Sequence, residues 1–316
     1  MFVSAVRRAL RSLPRTWDRR HVQIAAFVGL LLGVAFSSLP PFPGASNHED
    51  PVAAATKKAI PVKRLVGPAT LPAPPPADEQ TQAVLAANER VGAIRHGGGD
   101  RHMVALTFDD GPGAYTGQIL AILRRSKTPA TFFQVGKNLE ENPNPGQATA
   151  LLDHVAIGDH TYTHHSLAAM TLDQQRDEII STAATMEAQG EKPPRLFRPP
   201  YGAFNQDTLA LMTQRGMALI LWSVDSEDYA RPGVERIVRN VVSAATPGAI
   251  VLMHDGGGDR SQTVKALPKI IQRLRARGYG LVTVPELLRR DPPRQEDQHV
   301  AVAPPGADKG PDKGAG

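Results

Sequence analysis

Between about residues 100 and 290, short apolar runs alternate with amphipathic segments along the chain. "MVALTF" (103–108) precedes "YTGQILAILRRS", and "ATFFQV" follows. "VAIGDH" precedes "TLDQQRDEIISTAATMEAQ", "RLFRPPYG" precedes "NQDTLALMTQRG", and "MALILWSVD" precedes "GVERIVRNVVSAA". "AIVLMHD" precedes "TVKALPKIIQRLRARG", and "GLVTV" closes the series. The apolar runs are short and rich in β-branched and aromatic residues, so they read as buried strands. The intervening segments carry apolar residues at helical spacing and stop at Gly190, Gly216 and Gly278. Six or seven such units predict an α/β fold with a parallel sheet, wound open or closed as a barrel.

The flanks have a different character. Arg7, Arg8, Arg11, Arg15, Arg19 and Arg20 are opposed only by Asp18, so residues 1–21 read as a basic cytoplasmic segment. The uncharged run "VQIAAFVGLLLGVAFSSL" (22–39) reads as a transmembrane signal-anchor, with a signal peptide cleaved near Ser38 as its rival. Residues 40–99, rich in Pro and Ala, read as an extended spacer in which "DEQTQAVLAANER" could form one helix. Residues 291–316 read as a disordered tail. The formal charge of +5 is thus concentrated at the start, and no basic stripe elsewhere points to nucleic acid. The chain has no cysteine, which excludes disulfides, thiolate metal sites and a Cys nucleophile.

Polar residues collect where the strands end. Asp109 and Asp110 close "MVALTF" and are followed by Gly-Pro-Gly, which turns the chain. "HTYTHH" places His160 and His164 four apart, a spacing that puts two imidazoles on one face of a helical turn. Arg198 and Tyr201 lie in "RPPYG", Asp225 and Asp228 in "WSVDSEDY", and His254 in "LMHDGGGD". Each has a plain structural reading as well. The His pair could be helix surface, Arg198 a salt-bridge partner, "DSED" an N-cap cluster, His254 a core residue, and "GGGD" a flexible turn or weak anion cradle. His102, His154 and His165 read as structural or surface residues. The carboxyl ends of successive β/α units converge on one face, so five such placements favour a common site.

These motifs, in this order, resemble the five motifs of the NodB-type polysaccharide deacetylases, carbohydrate esterase family 4. The resemblance covers about residues 100–290 and implies a distorted (β/α) barrel of about seven units. It implies Asp109 as general base, with Asp110, His160 and His164 holding one divalent metal ion, Zn2+ ahead of Co2+ or Ni2+. It implies that Arg198 orients the base and that the Tyr201 backbone N–H serves the oxyanion. His254 is then the general acid, tuned by Asp228, with Leu252 shaping the acetyl pocket. Tyr229 stands where the family usually has Trp; with Trp222 and Leu252 it completes the expected substrate contacts. "ENPNPGQATALLD" (141–153) departs from the pattern and is expected to reshape a loop beside the site.

The expected function is metal-dependent removal of acetyl groups from an N-acetylated cell-surface polysaccharide, peptidoglycan or chitin-like, by a monomer anchored outside the cytoplasm. O-deacetylation of a xylan-type glycan, a small non-sugar amide and a catalytically silent glycan-binding module are the alternatives. A two-His, one-carboxylate site also suits a non-heme iron oxygenase. The accompanying Asp109, Arg198 and His254 favour hydrolysis.

Overall fold

The computed structural model describes residues 78–143 and 154–295. The basic segment, the expected signal-anchor, the spacer up to residue 77, residues 144–153 of the unusual loop and the tail from 296 lie outside the described residues. Among the described residues no helix is long and apolar enough to cross a membrane.

The chain runs α1 (Glu79–Val91), β1 (Ala93–Ile94), β2 (Met103–Gly111), α2 (Thr116–Ser126), β3 (Ala130–Gln134), α3 (Gly136–Glu141) and β4 (Val155–Asp159). It continues as α4 (Leu172–Ala188), β5 (Leu196–Phe197), α5 (Gln206–Arg215), β6 (Ala218–Ile220), β7 (Val224–Asp225) and α6 (Val234–Ala244). β8 (Ala249–His254), α7 (Ser261–Ala276), β9 (Gly280–Val282) and α8 (Val284–Arg290) complete it. The helix starts are coded locally. Thr171 and Gln174 form a reciprocal capping box on α4, and Asn205 and Thr208 do the same on α5. Gly216 ends α5 in the left-handed conformation that glycine adopts without steric penalty.

The strands pair in parallel in the order β1-β6-β5-β4-β3-β2-β8-β7, with β9 also on β2. β6 and β7 stand at different places in that order although only residues 221–223 separate them in sequence. Ser223 N donates to Ile250 O at 3.0 Å, so one bent segment links β6 to β8 and draws the sheet round into a distorted barrel. The sequence suggested one continuous strand here. Its ladder is interrupted because the carbonyls of Ile220 and Leu221 instead accept from the buried Arg198 guanidinium.

Alternate residues face inside and outside the barrel. Ala105, Phe133 and Ile250 pack inward with Ile94, Leu196 and Ile220. Phe108, Phe132, Val251 and Met253 pack outward against α2, α6 and α7. Both faces are covered, so β2 is buried over almost its whole length. α1 and α8 pack by the amino-terminal half of β2, where Val84, Ala87 and Leu287 join Met103 and Ala105 in the inner core.

Two boundaries expected from the sequence shift. Residues 79–94, assigned to the spacer, belong to the packed body: Val84 is 1% exposed and Ile94 fully buried. Asp291, assigned to the tail, is buried and accepts backbone N–H bonds from Gly99, Asp100 and Arg101.

Candidate active site

The carboxyl ends of β2, β4, β5 and β8 bring Asp109, Asp110, His160, Arg198 and His254 together. Asp109 is in register with His254 on one neighbouring strand, and β3, β4 and β5 supply the other side. His160 follows β4 directly and Arg198 follows β5.

Arg198 is fully buried inside the barrel rather than a surface partner. Its Nη1 donates to Asp109 Oδ1 at 2.7 Å and to Thr107 Oγ1 at 2.8 Å. Nε and Nη2 donate to the Ile220 and Leu221 carbonyls, and the guanidinium lies 4.1 Å from the Phe133 ring centroid. A buried guanidinium is tolerable only when it is so fully engaged. The arrangement fixes Asp109 through one oxygen and leaves Oδ2 facing the His160 side, 3.7 Å from Nε2.

One hydrogen bond fixes where His160 carries a proton. His160 Nδ1 sits 2.6 Å from the Arg198 carbonyl oxygen, which can only accept. That nitrogen therefore carries a proton, and Nε2 lies 3.4 Å from Asp110 Oδ1. His164 Nε2 lies 3.0 Å from the same oxygen, which is buried without an aligned hydrogen-bond donor. Two imidazole nitrogens this close to one carboxylate oxygen call for positive charge between them, supplied by ring protons or by a metal ion. The three donor atoms lie within 4.8 Å of one another, and two imidazoles with one carboxylate suit a divalent ion with open positions. Burial opposes ionisation of Asp110, but the two imidazoles and His254 outweigh it and hold the carboxyl well below the usual range.

The His pair does not lie on a helix, as its spacing suggested. Residues 160–166 form a loop in which Thr161 and His164 have φ of 68° and 61°. Asp110, Tyr201 and Glu227 also have positive φ. Non-glycine residues held there cost of order 1–3 kcal/mol each, and five of the seven in the described chain lie in the site's motif loops.

On the other flank, His254 Nδ1 is 2.7 Å from Asp228 Oδ1, and Asp228 Oδ2 accepts from His254 N and from Thr263 Oγ1 on α7. "DSED" therefore contributes a buried carboxylate rather than a helix cap, since Gly233 is the N-cap of α6. The Tyr229 ring stands edge-on to His254 with centroids 5.7 Å apart, and Tyr201 meets His164 in the same way at 5.0 Å. Both tyrosines are exposed. Trp222 is half-buried, 5.7 Å from Arg198 and against Gly202, while Leu252 is buried in β8.

Gly256 and Gly257 of the "GGGD" run pack directly against Asp110. A Cβ at Gly256 would strike the Asp110 carbonyl and one at Gly257 its carboxylate, so these glycines permit close packing beneath Asp110. Arg260 ties the turn by donating to Gly256 O and Gly257 O. Sequence reasoning missed Thr107, Thr263 and Asp255. Asp255 is buried, accepts from Thr116 Oγ1 at 2.5 Å, and burial pushes its carboxyl up to about 7. Only its position beside His254 could have drawn attention to it.

The chain is similar to known proteins in sequence and in fold. The polysaccharide deacetylase family profile matches residues 96–220. A peptidoglycan-N-acetylglucosamine deacetylase of Bacillus cereus is 44% identical over 190 residues, 59% of this chain and 88% of that protein. A chitooligosaccharide deacetylase of Bradyrhizobium sp. is 39% identical over 211 residues, covering 62% of this chain and 96% of that one. A crystal structure of a peptidoglycan N-acetylglucosamine deacetylase, in complex with 4-naphthalen-1-yl-N-oxidanyl-benzamide, superposes with a TM-score of 0.61. It has 35% sequence identity and covers 65% of this chain and 96% of its own.

Proposed function

The chain belongs to the polysaccharide deacetylase family, carbohydrate esterase family 4, and on that premise we propose that it removes N-acetyl groups from N-acetylglucosamine units of a cell-surface glycan, with Asp109 as base and His254 as acid. The observation that carries this reading is the pairing on either side of the ligand cluster: Asp109 held by Arg198, and His254 held by Asp228. Each uses one atom for its partner and keeps another for the substrate.

Asp110, His160 and His164 would hold a divalent ion, Zn2+ being the first choice for this donor set. When bound, such an ion polarises an acetyl carbonyl and lowers the pKa of water. Asp109, fixed through Oδ1, takes the proton of the attacking water with Oδ2. The backbone N–H of Tyr201 donates to the developing oxyanion. His254, whose Nδ1 is engaged by Asp228, delivers a proton from Nε2 to the departing amine. An amine leaves only when protonated, so the acid is as necessary as the base. Leu252 shapes the acetyl pocket, and Tyr229 and Trp222 bound the sugar groove.

Two substitutions separate the roles. Asp110→Ala should lose bound metal and turnover together, because a ligand is gone. Asp109→Asn should retain metal while turnover falls by ~100-fold or more, since an amide cannot accept the proton. Metal content by mass spectrometry and acetate release would be measured on the same samples. An empty Asp109→Asn protein beside a metal-loaded Asp110→Ala protein would reverse the assignment.

A further inference from the structure

The loop carrying both histidines is itself neither helix nor strand, yet each of its backbone N–H groups from residue 160 to 164 has an acceptor. His160 N donates to Gln134 O at 2.9 Å and Thr161 N to Asp159 Oδ1 at 2.7 Å. His164 N donates to Thr161 Oγ1 at 3.1 Å. The remaining pair, Tyr162 N and Thr163 N, both donate to one oxygen of Glu178 on α4, at 3.0 and 2.8 Å. Glu178 Oε1 also accepts from Thr163 Oγ1 at 2.7 Å. From the opposite side, Gly136 N and Lys137 N at the start of α3 donate to Thr161 O and Tyr162 O at 3.0 and 2.9 Å. Gly136 permits that approach, because a Cβ there would collide with the Tyr162 ring.

We propose that Glu178 is a positioning residue that sets the metal affinity of the site by clamping the loop between His160 and His164. It touches neither histidine. Its carboxylate holds the two residues between a pair of left-handed backbone positions, Thr161 and His164. Without an acceptor for the two N–H groups, those positions have less to oppose relaxation toward ordinary backbone angles. His164, at the far end of the loop, would then swing away from Asp110 Oδ1. The carboxylate acts by geometry. A glutamine can present its carbonyl oxygen to both N–H groups and its amide to Thr163 Oγ1, so it should substitute. An alanine or a shorter aspartate should not. The inference rests on the reading of Asp110, His160 and His164 as metal ligands.

The test is the dissociation constant for Zn2+, measured against a competing chelator on the full chain, with the absorption spectrum of the Co2+-loaded protein as a second readout. Glu178→Ala should weaken Zn2+ binding by ~10–100-fold, as loss of an outer partner of a metal ligand typically does, and should alter the Co2+ spectrum. Glu178→Gln should stay close to wild type in both. Should Glu178→Ala not fold by circular dichroism, Glu178→Asp should still show weakened binding and intact secondary structure. Folded Ala or Asp variants that bind Zn2+ as tightly as wild type, with unchanged Co2+ spectra, would overturn the clamp. So would a Gln variant as weak as Ala, which would make charge the operative property. A wild-type chain that binds no Zn2+ would instead remove the ligand assignment itself.

Discussion

Burial alone would lower the pKa of His254, but the charge and hydrogen bond of Asp228 raise it to about 9. Asp228 is itself buried, and His254 and Thr263 more than offset that burial, keeping it ionised below the usual carboxylate range. The imidazolium is thus the resting form at neutral pH, as a general acid requires. Because the folded pKa is raised, the pair also stabilises the fold. That contribution is complete below His254's ordinary value near 6.5 and is lost as pH rises through about 9. Asp228→Asn removes the charge with little change of shape, so burial is left to act and the pKa of His254 falls. The basic limb of kcat/KM against pH should therefore move to lower pH, while the acidic limb moves less. The limbs report coupled groups, so the direction of the shift is the expectation. A basic limb that stays in place, with metal content unchanged, would remove Asp228 from this role and leave Asp225 as the next candidate.

At the scale of elements, regularity decided what could be read in the sequence. Segments with a clean pattern were legible: the amphipathic α2, α6 and α7, the mostly apolar β3 and β8, and α4 behind its Thr171 cap. Two readings failed because a distant residue overrides the local pattern. "MALILWSVD" has the composition of one strand, but Arg198, more than twenty residues earlier, takes the carbonyls that would continue its ladder. The i, i+4 spacing of His160 and His164 fits a helical turn, yet Glu178 and α3 hold that stretch as a loop. The site was legible wherever a residue carries its chemistry in its own side chain, as do the carboxylates, the imidazoles and Arg198. It was not legible where a residue matters through a fold-dependent contact. Thr107, Thr263 and Glu178 stand in ordinary strand or helix sequence, and nothing local distinguishes them from their neighbours.

For the whole molecule, α1 and β1 move the start of the folded body back to about Glu79. The arginine-rich start and the uncharged run at 22–39 support the proposal that this body lies outside the cytoplasm. A reporter active only outside the cytoplasm, fused after residue 60 so that α1 is not cut, should be active. Activity of a cytoplasm-only reporter at the same junction would reverse that topology. The chemistry itself is tested most directly by product stoichiometry. The intact chain would be incubated with N-acetylglucosamine oligomers, and acetate and new primary amine quantified together, with Zn2+, with a chelator, and with Zn2+ restored. Hydrolysis of the amide should yield acetate and amine in equal amounts, both lost on chelation and both recovered with metal. Acetate released without amine from O-acetylated glycans alone, or no acetate from N-acetylated oligomers by metal-loaded protein, would contradict the account.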